Sequence, residues 1–226
     1  MNKRYARNMN TFSLEENVRL RGFKVFVAGC GGLGGFIIEE LGRLGIGYIT
    51  AVDGDVFDET NLNRQLLATM DQIGKSKAAA AAERMSDVNP DILVTPIHAM
   101  ITEENCRELI RGHDLVMDAL DNITSRFLLE ECCEAEGIPM VHGAIAGWYG
   151  QVPYVFPGDK TFEKLYPSGS VKGAEAELGN PSFTPAVIAS IEVAEAVKVL
   201  LGRGTLLQNK VLTINLLDHD YEIFDL

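Results

Sequence analysis

The chain has 226 residues, 46% of them hydrophobic and 23% charged, with a formal net charge of −12. That length suits one large domain or two small ones with ample apolar material for a core, and so acidic a chain is ill suited to nonspecific contact with nucleic acid or an anionic membrane. Four scattered cysteines, with no signal peptide and no long apolar span, fit a reducing cytoplasm.

Residues 1–22 read as an N-terminal arm, in which Ser13-Leu14-Glu15-Glu16 has the form of a capping box opening a short helix. Residues 23–226 read as a single nucleotide-binding domain. Lys24-Val25-Phe26-Val27-Ala28 is a short apolar run, the mark of a buried parallel strand. It ends in Gly29-Cys30-Gly31-Gly32-Leu33-Gly34, whose glycines permit a tight turn and let the backbone come close to a phosphate. Leu33, Phe36, Ile37, Leu41 and Leu44 recur at helical spacing, so a helix N-terminus faces the anion. The next strand is Tyr48-Ile49-Thr50-Ala51-Val52, and Asp53 at its end can accept hydrogen bonds from ribose hydroxyls. At this point an NAD-dependent dehydrogenase stands level with other nucleotide users.

The following stretch discriminates. Asn61-Leu62-Asn63-Arg64-Gln65 and Gly74-Lys75-Ser76-Lys77 bring an arginine and lysines within one unit of the loop. The second opens a helix running through Ala78 to Met85, whose alanines read as a packing face. A strand falls near 92–98. Another is Asp114-Leu115-Val116-Met117-Asp118, with Asp121-Asn122 past its end and Arg126 on the next helix. An aspartate there, beside a triphosphate, is a natural Mg²⁺ ligand. Converging Arg and Lys suit attack at phosphorus, where charge builds on phosphate oxygens, and hydride transfer has no use for them.

Further strands fall near 139–144 and 150–156. Residues 158–180 are rich in Gly, Ser, Lys and Glu and read as a long mobile loop, of the kind that is often functional. A strong helix spans 185–201, and strands at 210–217 and 221–226 pair antiparallel. Strands alternating with helices give an α/β fold with a mixed, mainly parallel central sheet and antiparallel C-terminal strands. His98 and His142 read as hydrogen-bonded structural residues. Trp148-Tyr149 reads as packing at the core or a sheet edge, with contact to a bound peptide tail as the alternative.

Together these residues resemble the ThiF/MoeB/HesA family, bacterial relatives of ubiquitin-activating enzymes. The matching positions are Arg4-Tyr5-Ala6-Arg7, Gly29 to Gly34, Asp53 and Asp55, Asn61 to Gln65, Lys77, and Asp121-Asn122 with Arg126. They continue with His142-Gly143-Ala144, Gly150-Gln151-Val152 and Ile191-Glu192-Val193-Ala194-Glu195-Ala196-Val197-Lys198, so the likeness spans nearly the whole chain. The resemblance implies a Rossmann-like enzyme that binds ATP and Mg²⁺. It would adenylate the C-terminal carboxylate of a small ubiquitin-like sulfur-carrier protein ending in Gly-Gly, releasing pyrophosphate. It implies nucleotide binding by Gly29, Gly31, Gly32, Gly34, Asp53, Asp55, Asn61 and Asn122. Arg64 and Lys77 would stabilise phosphate charge, and Asp121 would hold Mg²⁺. Arg7 would reach the site of the neighbouring subunit in a homodimer. The alternatives are adenylation of a carboxylate on a modified tRNA base or a peptide, a dehydrogenase, or a scaffold without turnover.

The chain departs from many members in its cysteines. Cys30, Cys106, Cys132 and Cys133 form no Cys-x-x-Cys, so no zinc is expected. None lies in the crossover loop at about 158–184, so activation is expected to stop at the acyl-adenylate. Cys30 and Cys132-Cys133 read as buried packing.

Overall fold

A computed structural model of the chain describes residues 3–166 and 175–226. A 3₁₀ turn, Lys3–Asn8, leads to α1 (Leu14–Leu20). The expected capping box is present: Ser13 Oγ accepts from the Glu16 N–H, and Glu16 Oε2 accepts from the Ser13 N–H at 2.7 Å. Tyr5 and Leu20 bury themselves in the domain, and the Tyr5 hydroxyl accepts from Asn89 Nδ2 at 2.9 Å. The arm is thereby packed onto the domain that follows it.

That domain alternates β1 (Lys24–Ala28), α2 (Gly32–Leu44), β2 (Tyr48–Val52), α3 (Lys77–Val88) and β3 (Leu93–Ile97). It continues through α4 (Cys106–Ile110), β4 (Leu115–Asp118), α5 (Ile123–Glu136) and β5 (Met140–His142). The strand expected near 139–144 is divided, with β6 (Ala144–Ala146) following β5. Then come β7 (Tyr149–Val155), α6 (Thr161–Leu165), α7 (Glu175–Leu178), α8 (Phe183–Leu201), β8 (Lys210–Asn215) and β9 (Asp220–Asp225). The stretch expected as a long loop thus carries two short helices, α6 and α7, and its residues 167–174 lie outside the described ones.

Among the described residues the strands form one sheet in the order β3-β2-β1-β4-β5-β7-β8-β9, with β6 on β7. The pairs from β3 to β5 are parallel, with Lys24 beside Tyr48 and Ala28 beside Asp118. From β7 onward every pair is antiparallel. Pro96 is tolerated because β3 is the edge strand, where a missing N–H costs no ladder bond. In β1, Val25 to Ala28 have no exposure at all, as expected of a strand covered on both faces. The chain leaves β1 outward to β2 and β3, then returns to β4 on its other side. This reversal opens a crevice between the carboxyl ends of β1 and β4, the place where open α/β sheets bind ligands.

Candidate active site

A cavity of about 250 Å³ occupies that crevice. The turn after β1 sets its floor. Gly29 has φ +92°, and a Cβ there would lie 2.8 Å from the Ala119 carbonyl oxygen. A Cβ on Gly34 would overlap the Gly29 carbonyl. Both glycines are therefore required by backbone packing at the β1–β4 crossing. Gly29, Gly31 and Gly32 line the cavity, whereas Gly34 is buried behind it.

Asp53, at the end of β2, ties this turn down. One carboxylate oxygen accepts from the Cys30 N–H and the other from the Asp55 N–H, both at 2.7 Å. Lys77 opens α3, and its buried Nζ lies 3.0 Å from Asp55 Oδ2. Arg64 is held by its Nη1, which donates to the Thr60 carbonyl and to Asn63 Oδ1. Asn122 caps α5 by accepting from the Ser125 N–H at 2.8 Å. Asp121 sits exposed on the opposite wall, and its carboxylate makes no hydrogen bond or ion pair among the described residues. The cavity walls thus bring together Asp53, Asp55, Arg64, Lys77, Asp121 and Asn122. Residues at the starts of α2, α3 and α5 line the same space, and the dipoles of these helix N-termini add positive potential.

Two expected residues stand elsewhere. Asn61 does not line the cavity. Its Oδ1 accepts from the Asp58 N–H at 3.0 Å, closing a reciprocal cap that shapes the Arg64 segment. Arg7 is exposed on the N-terminal 3₁₀ turn and lines neither cavity of its own chain.

The structure adds wall residues that spacing did not single out as ligands. Gln65 and Asn180 both line the cavity, and Gln65 Oε1 and Asn180 Oδ1 are buried without a hydrogen-bond partner in the described structure. Buried acceptors are costly when unpaired. A nucleotide, with its hydroxyl and amino donors, supplies what these lack, and a cation needs only the free oxygens of Asp121 and of phosphates. The site chemistry therefore fits ATP with Mg²⁺.

A second cavity of about 470 Å³ adjoins the first. Arg126 and Ile145 line both. Its other walls include Tyr149, Gln151, Asp220 and Glu222. Tyr149 is thus a cavity residue, while Trp148 packs on Phe183 at a ring distance of 4.5 Å.

His142 is fully buried and hydrogen-bonded to Asp118, as read from the sequence, and burial lowers its pKa despite that carboxylate. His98 Nδ1 meets Ser76 Oγ at 3.1 Å and lines neither cavity. All four cysteines are free and buried. Burial, with Asp53 adding to it, pushes the Cys30 thiol well up, which disfavours the nucleophilic thiolate despite its place in the glycine loop. No described helix is long and apolar enough to cross a membrane.

Comparison with known proteins decides among the nucleotide users. The ThiF family profile matches residues 5–226. The chain belongs to the ThiF family. The SAMP-activating enzyme E1 of Haloferax volcanii is 36% identical over 224 residues, covering 97% of this chain and 83% of that protein. The sulfur carrier protein adenylyltransferase of Thermus thermophilus is 36% identical over 217 residues, covering 92% of this chain and 80% of that protein. In fold, E. coli MccB crystallised with ATP superposes with a TM-score of 0.86 at 22% identity, over 100% of this chain and 71% of that one.

Proposed function

We propose that this ThiF-family chain is an ATP-dependent adenylyltransferase acting on the C-terminal carboxylate of a small ubiquitin-like sulfur-carrier protein that ends in Gly-Gly. The observation that carries this reading is the pair of adjoining cavities. One is walled by the glycine turn, Arg64, Lys77 and Asp121, and the other opens beside it through Arg126. A nucleotide fits the first and an extended peptide end the second, with the reacting carboxylate where they meet.

The carboxylate is ionised at neutral pH, so no general base is needed. Its oxygen bonds to the α-phosphorus as the bond to the bridging β-phosphate oxygen breaks, and pyrophosphate departs with the electron pair. Asp53 and Asn122 orient the nucleotide. Arg64 and Lys77 stabilise charge developing on the phosphates, in a walled site where such charges act strongly. Asp121 would hold Mg²⁺, which supplies further neutralisation of phosphate charge. Asn61 contributes through the loop it caps. The working form is a homodimer in which Arg7 completes the site of the other subunit.

Exchange of labelled pyrophosphate into ATP tests this directly, with a purified carrier ending in Gly-Gly. Exchange should depend on the carrier and be lost when its final glycine is removed. Asp121→Ala should lower the rate at least ~10²-fold, the scale of a central electrostatic group. Carrier-independent exchange, or full activity in Asp121→Ala, would overturn the assignment.

A further inference from the structure

Arg126 is 4% exposed, yet it lines both cavities. Its guanidinium is tied on two sides. Nε and Nη2 donate to the Leu120 carbonyl at 3.2 and 2.9 Å, and Nη1 donates to the Tyr166 hydroxyl at 3.0 Å. Arginine has five N–H groups. These three bonds leave one donor on each Nη.

The Tyr166 hydroxyl is itself the centre of a cluster. It receives the Gln151 Nε2 amide at 3.2 Å and lies 2.8 Å from His142 Nε2. A phenolic oxygen accepts two hydrogen bonds and donates one. The guanidinium and the amide nitrogen can only donate, so the phenolic proton goes to His142 Nε2. His142 then carries its own proton on Nδ1 and gives it to Asp118 Oδ2, 2.8 Å away. Asp118 closes the chain by accepting from the Leu120 N–H on its other oxygen, at 3.0 Å. Leu120 is the residue whose carbonyl holds Arg126. Every proton in the chain is accounted for, and the carboxyl end of β4 is bound to Arg126 from both directions.

Local structure explains why a tyrosine far along the chain reaches this point. Tyr166 caps the C-terminus of α6, its N–H donating to the Phe162 carbonyl at 2.9 Å. The Phe162 N–H donates in turn to Glu130 on α5. Phe162 packs edge-on against His142 with ring centres 4.8 Å apart.

We propose that Tyr166 is a positioning residue: its hydroxyl, oriented by His142 and Asp118, fixes the Arg126 guanidinium at the junction of the two cavities so that its two remaining N–H donors meet the reacting carboxylate. The catalytic consequence rests on the adenylation reading above, and the pinning of Arg126 does not. Tyr166→Phe keeps the ring and removes only the hydroxyl. It should lower kcat for carrier-dependent exchange about tenfold, the scale of one hydrogen bond to a charged group. KM for ATP and the thermal protection by ATP should stay unchanged. Arg126→Lys, which loses the fork, should show a comparable fall, and the double variant no further one, because the two act as a unit. Unchanged kcat in Tyr166→Phe, or losses that multiply in the double variant, would overturn the proposal.

A second readout needs no activity. Pinned on two sides, the Arg126 guanidinium should give separate Nη proton resonances by NMR in the wild type, and these should merge in Tyr166→Phe. Equally resolved signals in both would show that the Leu120 carbonyl alone holds Arg126. If the wild type exchanges no pyrophosphate with any carrier, the adenylation reading fails, while the resonances still decide the pinning.

Discussion

Glu192 is fully buried on α8, and neither carboxylate oxygen has a hydrogen-bond partner among the described residues. It packs against Gly143 so closely that a Cβ there would overlap the carboxylate. Burial, with Asp118 adding to it, pushes its pKa well up. The folded protein therefore keeps a proton that the unfolded chain releases once pH rises past the ordinary carboxylate range. Stability must fall as pH rises above that range, because the folded state binds more protons there. Glu192→Gln removes this linkage. Its melting temperature should exceed that of the wild type at neutral pH, with a gap that widens between pH 6 and 8. An equal gap at all pH values would show that Glu192 is ionised in the fold. The cysteines give a second expectation at this scale. All four are buried and free, and the pKa values of Cys106 and Cys133 are raised chiefly by burial. Replacing Cys30, Cys106, Cys132 and Cys133 by Ala or Ser should retain adenylation, with modest stability losses of about 1 kcal/mol each. A reducible enzyme–carrier conjugate on a gel, lost in one variant, would show a reactive thiol near the adenylate.

At the scale of elements, α2 and α3 are joined by one carboxylate. Glu39 on α2 accepts from Arg84 Nε and Nη2 of α3, each at 2.9 Å, and from Arg43 Nε at 2.9 Å. Burial raises its pKa, but the two guanidiniums outweigh that and hold it below the usual carboxylate range. Its contribution is present above that range and disappears as pH falls through the depressed value. Glu39→Gln should cost on the order of 1 kcal/mol at neutral pH, since both arginines are half exposed. The difference from wild type should shrink in acid melts, and a constant difference would assign it to packing instead. Elements of this size are legible in the sequence. The parallel strands and the helices α2, α3 and α8 have enough turns or enough buried length for their periodicity to register. The helices α4, α6 and α7 have five residues or fewer, too short for a helical repeat. α6 starts from Lys160 in a left-handed conformation with no side-chain cap, so no start signal marks it. The site divides the same way. Asp53 and Asp121 lie within three residues of strand ends and Lys77 opens a helix, where the sequence pattern places them. Tyr166 reaches His142 across 24 positions by way of a short helix, and no spacing announces that contact.

At the scale of the whole molecule, the remaining question is what faces the cavity's outer side. Val56, Leu66, Met70 and Ile73 are exposed large apolar residues, and all lie in the segment that carries Arg64. Exposed apolar side chains gathered on one segment are a mark of an interaction surface. A two-fold copy seated there would make an isologous contact, in which each subunit gives the other the same residues. Arg7 lines neither of the two cavities described above, which fits a role across that contact. The prediction is a homodimer by light scattering, and complementation between two defective proteins. Arg7→Ala and Lys77→Ala should each be nearly inactive alone. Random mixing after gentle dissociation makes half the dimers mixed, and one of the two sites in each mixed dimer has both groups intact. Activity should therefore recover to about a quarter of the wild-type value. If Arg7 served its own subunit's site instead, every site in the mixture would lack one group and no activity would return. An active monomer would remove the dimer from the reading and leave the Arg64 segment to face the carrier protein.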